Sequence, residues 1–188
     1  SNTVIDATAD ADIAASAGVG FSKGDPEDGR LQHVNFKSAV SGINYDDFSK
    51  ESPETIKETL EYAVSKKIIT PPEGIFNIPE QCFPFDPETK RIILNYWEIE
   101  NIDPCEVFQV SITLSQCQSA LFEAIEFCRK NIPGYSECKI ERLPETLGTR
   151  ESRRIKGKYL LTRDDVVNGS KFENSIAKCT FWIDFHDS

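Results

Sequence analysis

Between residues 31 and 43 apolar and polar side chains alternate, with Val34, Phe36, Ser38 and Val40 two apart. A period of two predicts a half-buried strand. After Pro53 the period lengthens: Ile56, Leu60 and Ala63-Val64 share one face of a helix running to Lys67, and proline suits its first position. Residues 71–90 carry Pro71, Pro72, Pro79, Pro84 and Pro87. Proline cannot donate to a ladder, so only short extended pieces are expected there. Residues 91–99 read as a strand and 106–112 as another. Thr113 then caps the longest helix, about 114–131 by its apolar spacing. Its buried face is Cys117, Leu121, Ala124-Ile125 and Cys128, and Pro133-Gly134 ends it.

Three further strands are expected late, at 138–143, 155–161 and 178–185. Thr162 caps a short helix over 163–167 that Asn168-Gly169 stops. At the other end, residues 3–8 read as a short apolar strand. Asp10 reads as the cap of a small helix over 11–17 ended by Gly18, and 20–30 as a loop built on Gly24, Asp25-Pro26 and Asp28-Gly29. Strands and helices do not alternate regularly. The expected class is therefore α+β, with a mixed or largely antiparallel sheet and a few packed helices.

The chain has 188 residues, one domain by length, and no methionine. It is expected to be a piece of a longer protein. Hydrophobic residues make up 39% and charged ones 28%, which excludes a disordered chain. Formal net charge is −10, so neither a nucleic acid nor an anionic membrane is an expected partner. No apolar run approaches the roughly 18 residues of a membrane span. No leader pattern opens the chain; the compartment stays open, with the cytoplasm favoured over a secreted or periplasmic location.

Six cysteines, at 82, 105, 117, 128, 138 and 179, include no C-x-x-C pair. They read as small buried hydrophobes rather than zinc ligands, with pairing left open. There is no G-x-G-x-x-G, no phosphate-binding P-loop, no G-x-S-x-G and no H-E-x-x-H in the sequence. Asp6, Asp10 and Asp12 lack the spacing and glycine of a calcium loop, so no metal is expected. Asn168-Gly169-Ser170 reads as a turn rather than a glycosylated site. Of the two histidines, His33 reads as structural. His186, flanked by Asp184 and Asp187 at a strand end, could exchange protons near neutral pH or be an exposed terminal side chain.

One dense basic cluster remains, Arg150-Glu151-Ser152-Arg153-Arg154. It has two readings: a salt-bridged connection between strands, or a site where arginine forks grip an anion or carbonyl and a glutamate steadies one fork.

The residues from Gly148 onward resemble a known pattern. Arg150 to Ile155, Gly157, Tyr159, Leu161-Thr162, Asp165-Val166, Gly169, Phe172, Ile176-Ala177, Ile183-Asp184 and His186 fit G-x-RESRRI-x-G-x-Y-x-LT-x-x-DV-x-x-G-x-x-F-x-D-x-IA…ID-x-H. That run is similar to a segment of a family of FAD-dependent oxidoreductases often labelled xanthan lyases. VIDATADADIAASAGV at 4–19 looks like that family's V-I-D-A-T-G-D-G-D-x-A-x-x-A-G-V, with Ala9 and Ala11 where glycines are usual. DPEDGRLQ at 25–32 and PGY at 133–135 also fit. The resemblance implies FAD in the intact parent, not bound to this chain alone, with Thr8 and Ala9 near it. It implies that 1–18 is a remnant of the FAD domain's strand and helix and 19–188 the substrate-side domain. The expected partners are a small organic or carbohydrate substrate and the FAD-binding remainder of the polypeptide. In that setting His186, Arg150 and Arg154 are candidate catalytic residues, and Arg150, Glu151 and Arg153 candidate substrate contacts. A non-catalytic binding domain of shared ancestry is the alternative.

Overall fold

The computed structural model describes residues 2–73, 75–76, 83–86, 88 and 91–180. In chain order the elements are α1 (Asp12–Ser16), β1 (Phe21–Lys23), β2 (Val34–Ser41), α2 (Tyr45–Phe48), α3 (Pro53–Ser65), β3 (Ile75–Phe76), β4 (Phe83–Asp86), β5 (Arg91–Ile99), α4 (Val107–Asn131), β6 (Lys139–Arg142), β7 (Arg153–Ile155) and α5 (Arg163–Asn168). With helices and antiparallel sheets in separate runs, the fold is α+β. The chain forms two compact units, Arg30–Ser152 and the two ends together, Ser1–Gly29 with Arg153–Ser188.

In the central unit, β3, β5, β2 and β6 form an antiparallel sheet in that order, and β4 also pairs with β5. β2 and β5 pair from Val34↔Ile99 to Val40↔Ile92 with a register shift after Phe36. Phe36 lies opposite Trp97 and Lys37 opposite Asn95, so β5 carries one extra residue there. That bulge changes the phase of the strand. Ile92 and Leu94 point into the core before it, Trp97 and Ile99 after it, and all four are buried. Helix α4 lays Cys117, Ala120, Leu121, Ala124, Ile125 and Cys128 into the same core, and α3 adds Leu60 and Ala63. The Ser52 hydroxyl caps α3 by accepting from the Thr55 amide at 3.1 Å.

The start of α4 overturns one expectation. Residues 106–112 are not a strand, and Thr113 does not cap the helix. It is buried six residues inside a helix that begins at Val107. The branched side chains of this stretch favour extended backbone only where a neighbouring strand can pair with it. Here the entry loop is tied to the helix instead. The Gln109 side chain accepts from the Asp103 amide at 2.8 Å and donates to the Asn101 carbonyl at 2.9 Å. Past the other end, Gly134 sits at φ +83°, and a Cβ there would lie 2.3 Å from the Asn44 carbonyl oxygen. Asn44 in turn opens α2, a short helix that the pattern of the sequence had not indicated.

The terminal unit is held differently. β1 pairs antiparallel with β7, Phe21 opposite Ile155 and Lys23 opposite Arg153. The expected loop over 20–30 therefore contains a strand, and the strand expected over 155–161 stops at Ile155. Residues 3–8 are not in a strand, because no ladder among the described residues reaches them. Thr162 and Asp165 form a reciprocal capping box at α5, closed by Gly169 in the left-handed region. The strand expected at 178–185 lies mostly outside the described residues, and 178–180 are irregular. Among the described residues, the buried hydrophobics all fall between Val34 and Leu147. In the terminal unit Val4, Ile5, Leu160, Leu161, Val167 and Ile176 are all exposed.

Candidate functional site

Two constellations carry chemistry, one in each unit. The first grows from the β2–β5 register. Asn35 lies opposite Glu98. Side chains two apart share a face, so His33 and Asn35 line up with Glu98 and Glu100. His33 is 7% exposed. Its Nδ1 lies 3.5 Å from Glu98 Oε2 and its Nε2 3.5 Å from Glu100 Oε1. Arg150 Nη2 donates to Glu98 Oε1 at 3.4 Å.

The 148–152 segment is fastened to β2 just beside this cluster. Gly148 and Asn35 exchange both backbone bonds, N to O at 2.7 and 3.0 Å. A Cβ on Gly148 would lie 1.8 Å from Asn35 Oδ1, so only glycine allows this approach. One residue past Arg150, Glu151 Oε2 accepts from the Gln32 amide at 3.3 Å. His33 Nδ1 and Arg150 Nε are buried with no hydrogen-bond partner among the described residues. Arg150 therefore donates to one carboxylate, that of Glu98, in a cluster with more carboxylates than arginines.

The second constellation is the turn at 6–12. Asp6 caps α1, not Asp10. Its Oδ1 accepts from the Thr8 amide at 3.0 Å and the Thr8 hydroxyl at 2.7 Å, and its Oδ2 from the Ala14 amide at 2.8 Å. The Thr8 amide, then the Ala14 amide and the Thr8 hydroxyl, hold the Asp6 carboxyl below its ordinary value. Thr8 Oγ1 also accepts from the Asp12 amide at 2.9 Å. Ala9 and Ala11 are left-handed, at φ +68° and +56°. Gly18, at φ +80°, closes α1 with paired bonds from Gly18 to Ala15 and from Val19 to Ala14.

The arginine cluster is divided between the units. Arg150 and Glu151 belong to the first constellation. Arg153 Nη1 donates to the Asp10 carbonyl at 2.9 Å and to Asp12 Oδ1 at 2.6 Å, and its guanidinium lies 5.5 Å from the Phe21 ring centroid. Arg154 Nη2 donates to the Gly24 carbonyl. The last two arginines thus tie β7 to segments 130 to 143 positions earlier in the chain. Thr8 and Ala9 are exposed on the turn. His186 lies outside the described residues. His33, Glu98 and Glu100 were not singled out as site residues by the sequence; alternation places His33 with Asn35 and Glu98 with Glu100, but only the strand register brings the two pairs together.

The chain matches the family model described as FAD dependent oxidoreductase over residues 1–188, and it belongs to that family. Neither curated proteins nor solved structures gave a significant match. The family is FAD-dependent, which makes the chain part of a flavoprotein oxidoreductase group. Ala9 and Ala11 hold the left-handed backbone that glycine adopts most easily, but each carries a Cβ that keeps a flat ring further from the main chain than glycine would. The cradle for the diphosphate, a G-x-G-x-x-G loop, is not in this sequence.

Proposed function

We propose that this chain is the substrate-facing part of an FAD-dependent oxidoreductase, completed by a nucleotide-binding part of the same polypeptide. The carrying observation is the terminal unit, which matches the family along its length yet leaves Val4, Ile5, Leu160, Leu161, Val167 and Ile176 exposed. Several large apolar side chains left exposed within one unit are what a partner surface would cover.

In this reading FAD, when bound, supplies the two-electron oxidation of substrate. Thr8 and Ala9 form the protein wall of the turn that faces it. Arg150, steadied by Glu98, binds and orients a polar group of a small organic or carbohydrate substrate. Glu151 fixes the backbone at Gln32 beside it, and His33 backs Glu98. His186 takes or returns the substrate's proton. Arg153 and Arg154 act through the segments they hold rather than by reaching the substrate. The 188-residue chain alone is expected to bind no FAD.

Ala9 and Ala11, where the related pattern carries glycine, favour a second reading: a binding domain of shared ancestry that does no redox work. Hydrogen exchange separates the two. The first predicts slower exchange across 1–29 and 153–180 in protein made from the complete reading frame than in this chain alone. Equally fast exchange in both would remove the docked partner and favour the second.

A further inference from the structure

We propose that Arg153 is a positioning residue for the flavin-facing turn, and not a substrate contact; this rests on the reading of the 6–12 turn given above. Two alanines in the left-handed region make the turn intrinsically strained, because their Cβ atoms crowd the following carbonyl. Such a conformation persists only when its surroundings hold it. Two groups do so, one from each side. Asp6 gathers the Thr8 and Ala14 amides from within the turn. Arg153 reaches it from β7 and bridges the Asp10 carbonyl and the Asp12 carboxylate with one nitrogen.

Arg153 is itself well placed for this. Its side chain is 18% exposed, its backbone is fixed by pairing with Lys23, and its guanidinium lies over Phe21. Asp10 and Ala11 therefore hang between a rigid strand and a capped helix. Removing the arginine donors frees the segment on which Ala9 depends. No change of chemistry at a substrate is needed for that effect to reach a cofactor lying against the turn.

The test is Arg153→Met, which keeps the stem over Phe21 and removes the donors, with Asp12→Asn as a milder second variant that leaves the Asp10 bond. In this chain, exchange of the Thr8, Asp12 and Ala14 amides should speed up about 10-fold or more in Arg153→Met, in line with loss of charge-assisted bonds. Asp12→Asn should give a smaller increase, and amides of the α4 core should not change. In the flavin-loaded protein from the complete reading frame, Arg153→Met should shift the visible flavin absorbance band and its fine structure. Unchanged exchange in both variants overturns the positioning role. Faster exchange with an unaltered flavin spectrum overturns the link to flavin and counts against the flavin-facing reading itself.

Discussion

Replacing Gly148 by alanine tests how the arginine segment is seated on the sheet. The added Cβ would lie 1.8 Å from Asn35 Oδ1, 2.9 Å from Asn35 Cγ and 3.3 Å from the Asn35 carbonyl oxygen. Asn35 is 8% exposed, so its side chain has little room to turn away. Overpacking of this kind costs about 1–3 kcal/mol. Stretching one of the two Gly148–Asn35 backbone bonds adds about 0.5–1.5 kcal/mol. Gly148→Ala should therefore destabilise the central unit by about 2–4 kcal/mol, a urea midpoint shift of roughly 1–2 M at the usual slope. Trp97, buried beside Phe36, supplies the fluorescence signal. Asn35 itself provides the control. In an Asn35→Ala background the two shortest contacts vanish and only the 3.3 Å approach to the carbonyl remains. There the same glycine change should cost less than about 1 kcal/mol, a coupling of about 1–3 kcal/mol. Equal costs in both backgrounds would refute the contact as the cause.

Ala9→Gly and Ala11→Gly should each relieve a left-handed alanine, gaining about 1 kcal/mol or less after glycine's greater unfolded freedom is counted; slower exchange of the Thr8 and Asp12 amides is the readout, and unchanged or faster exchange contradicts the strain. Burial pushes Cys117 and Cys128 up to about 12 and Cys138 up to about 11. Among the described cysteines, a thiol reagent at pH 8 should therefore label Cys105 and Cys179 first and reach the other three only in denaturant; early labelling of Cys128, mapped by mass spectrometry, would contradict their burial. The Tyr159 hydroxyl, then the Thr162 amide and hydroxyl, hold Asp165 down to about 2 from an ordinary 3.8. Because the folded value is the lower one, this support for α5 is complete above the unfolded value and is lost as pH falls through about 2. Amide signals of α5 should fade over that acid window while α3 holds, and α5 signals intact below pH 2 would refute it.

Much of the central unit was legible because its signals are local. The period-two run of β2, the apolar face of α4 at Cys117, Leu121 and Cys128, and the Pro53 start of α3 each lie within one element. In the terminal unit the Thr162 cap of α5 is equally local. The errors share a different cause. The β-branched run before Thr113 carries strand propensity, and tertiary context made it helix. β1 and β7 are invisible singly, because each exists only as the other's partner. Asp6 caps a helix that begins six residues later, beyond the reach of the usual capping rule, because two left-handed alanines fold the chain back on it. The site followed the same division. The sequence marked Arg150, Glu151, Arg153 and Arg154 as a chemically dense stretch, but their partners are 52 to 143 positions away. Glu98 met His33 only through the register of β2 against β5, and Glu98 in turn takes the Arg150 bond.

The central claim is that this chain serves a flavin. Protein made from the complete reading frame should be purified, denatured, and the released small molecules read by absorbance and fluorescence. The account predicts FAD in near-stoichiometric amount. A folded protein that releases no flavin would contradict it and leave the binding-domain reading in its place.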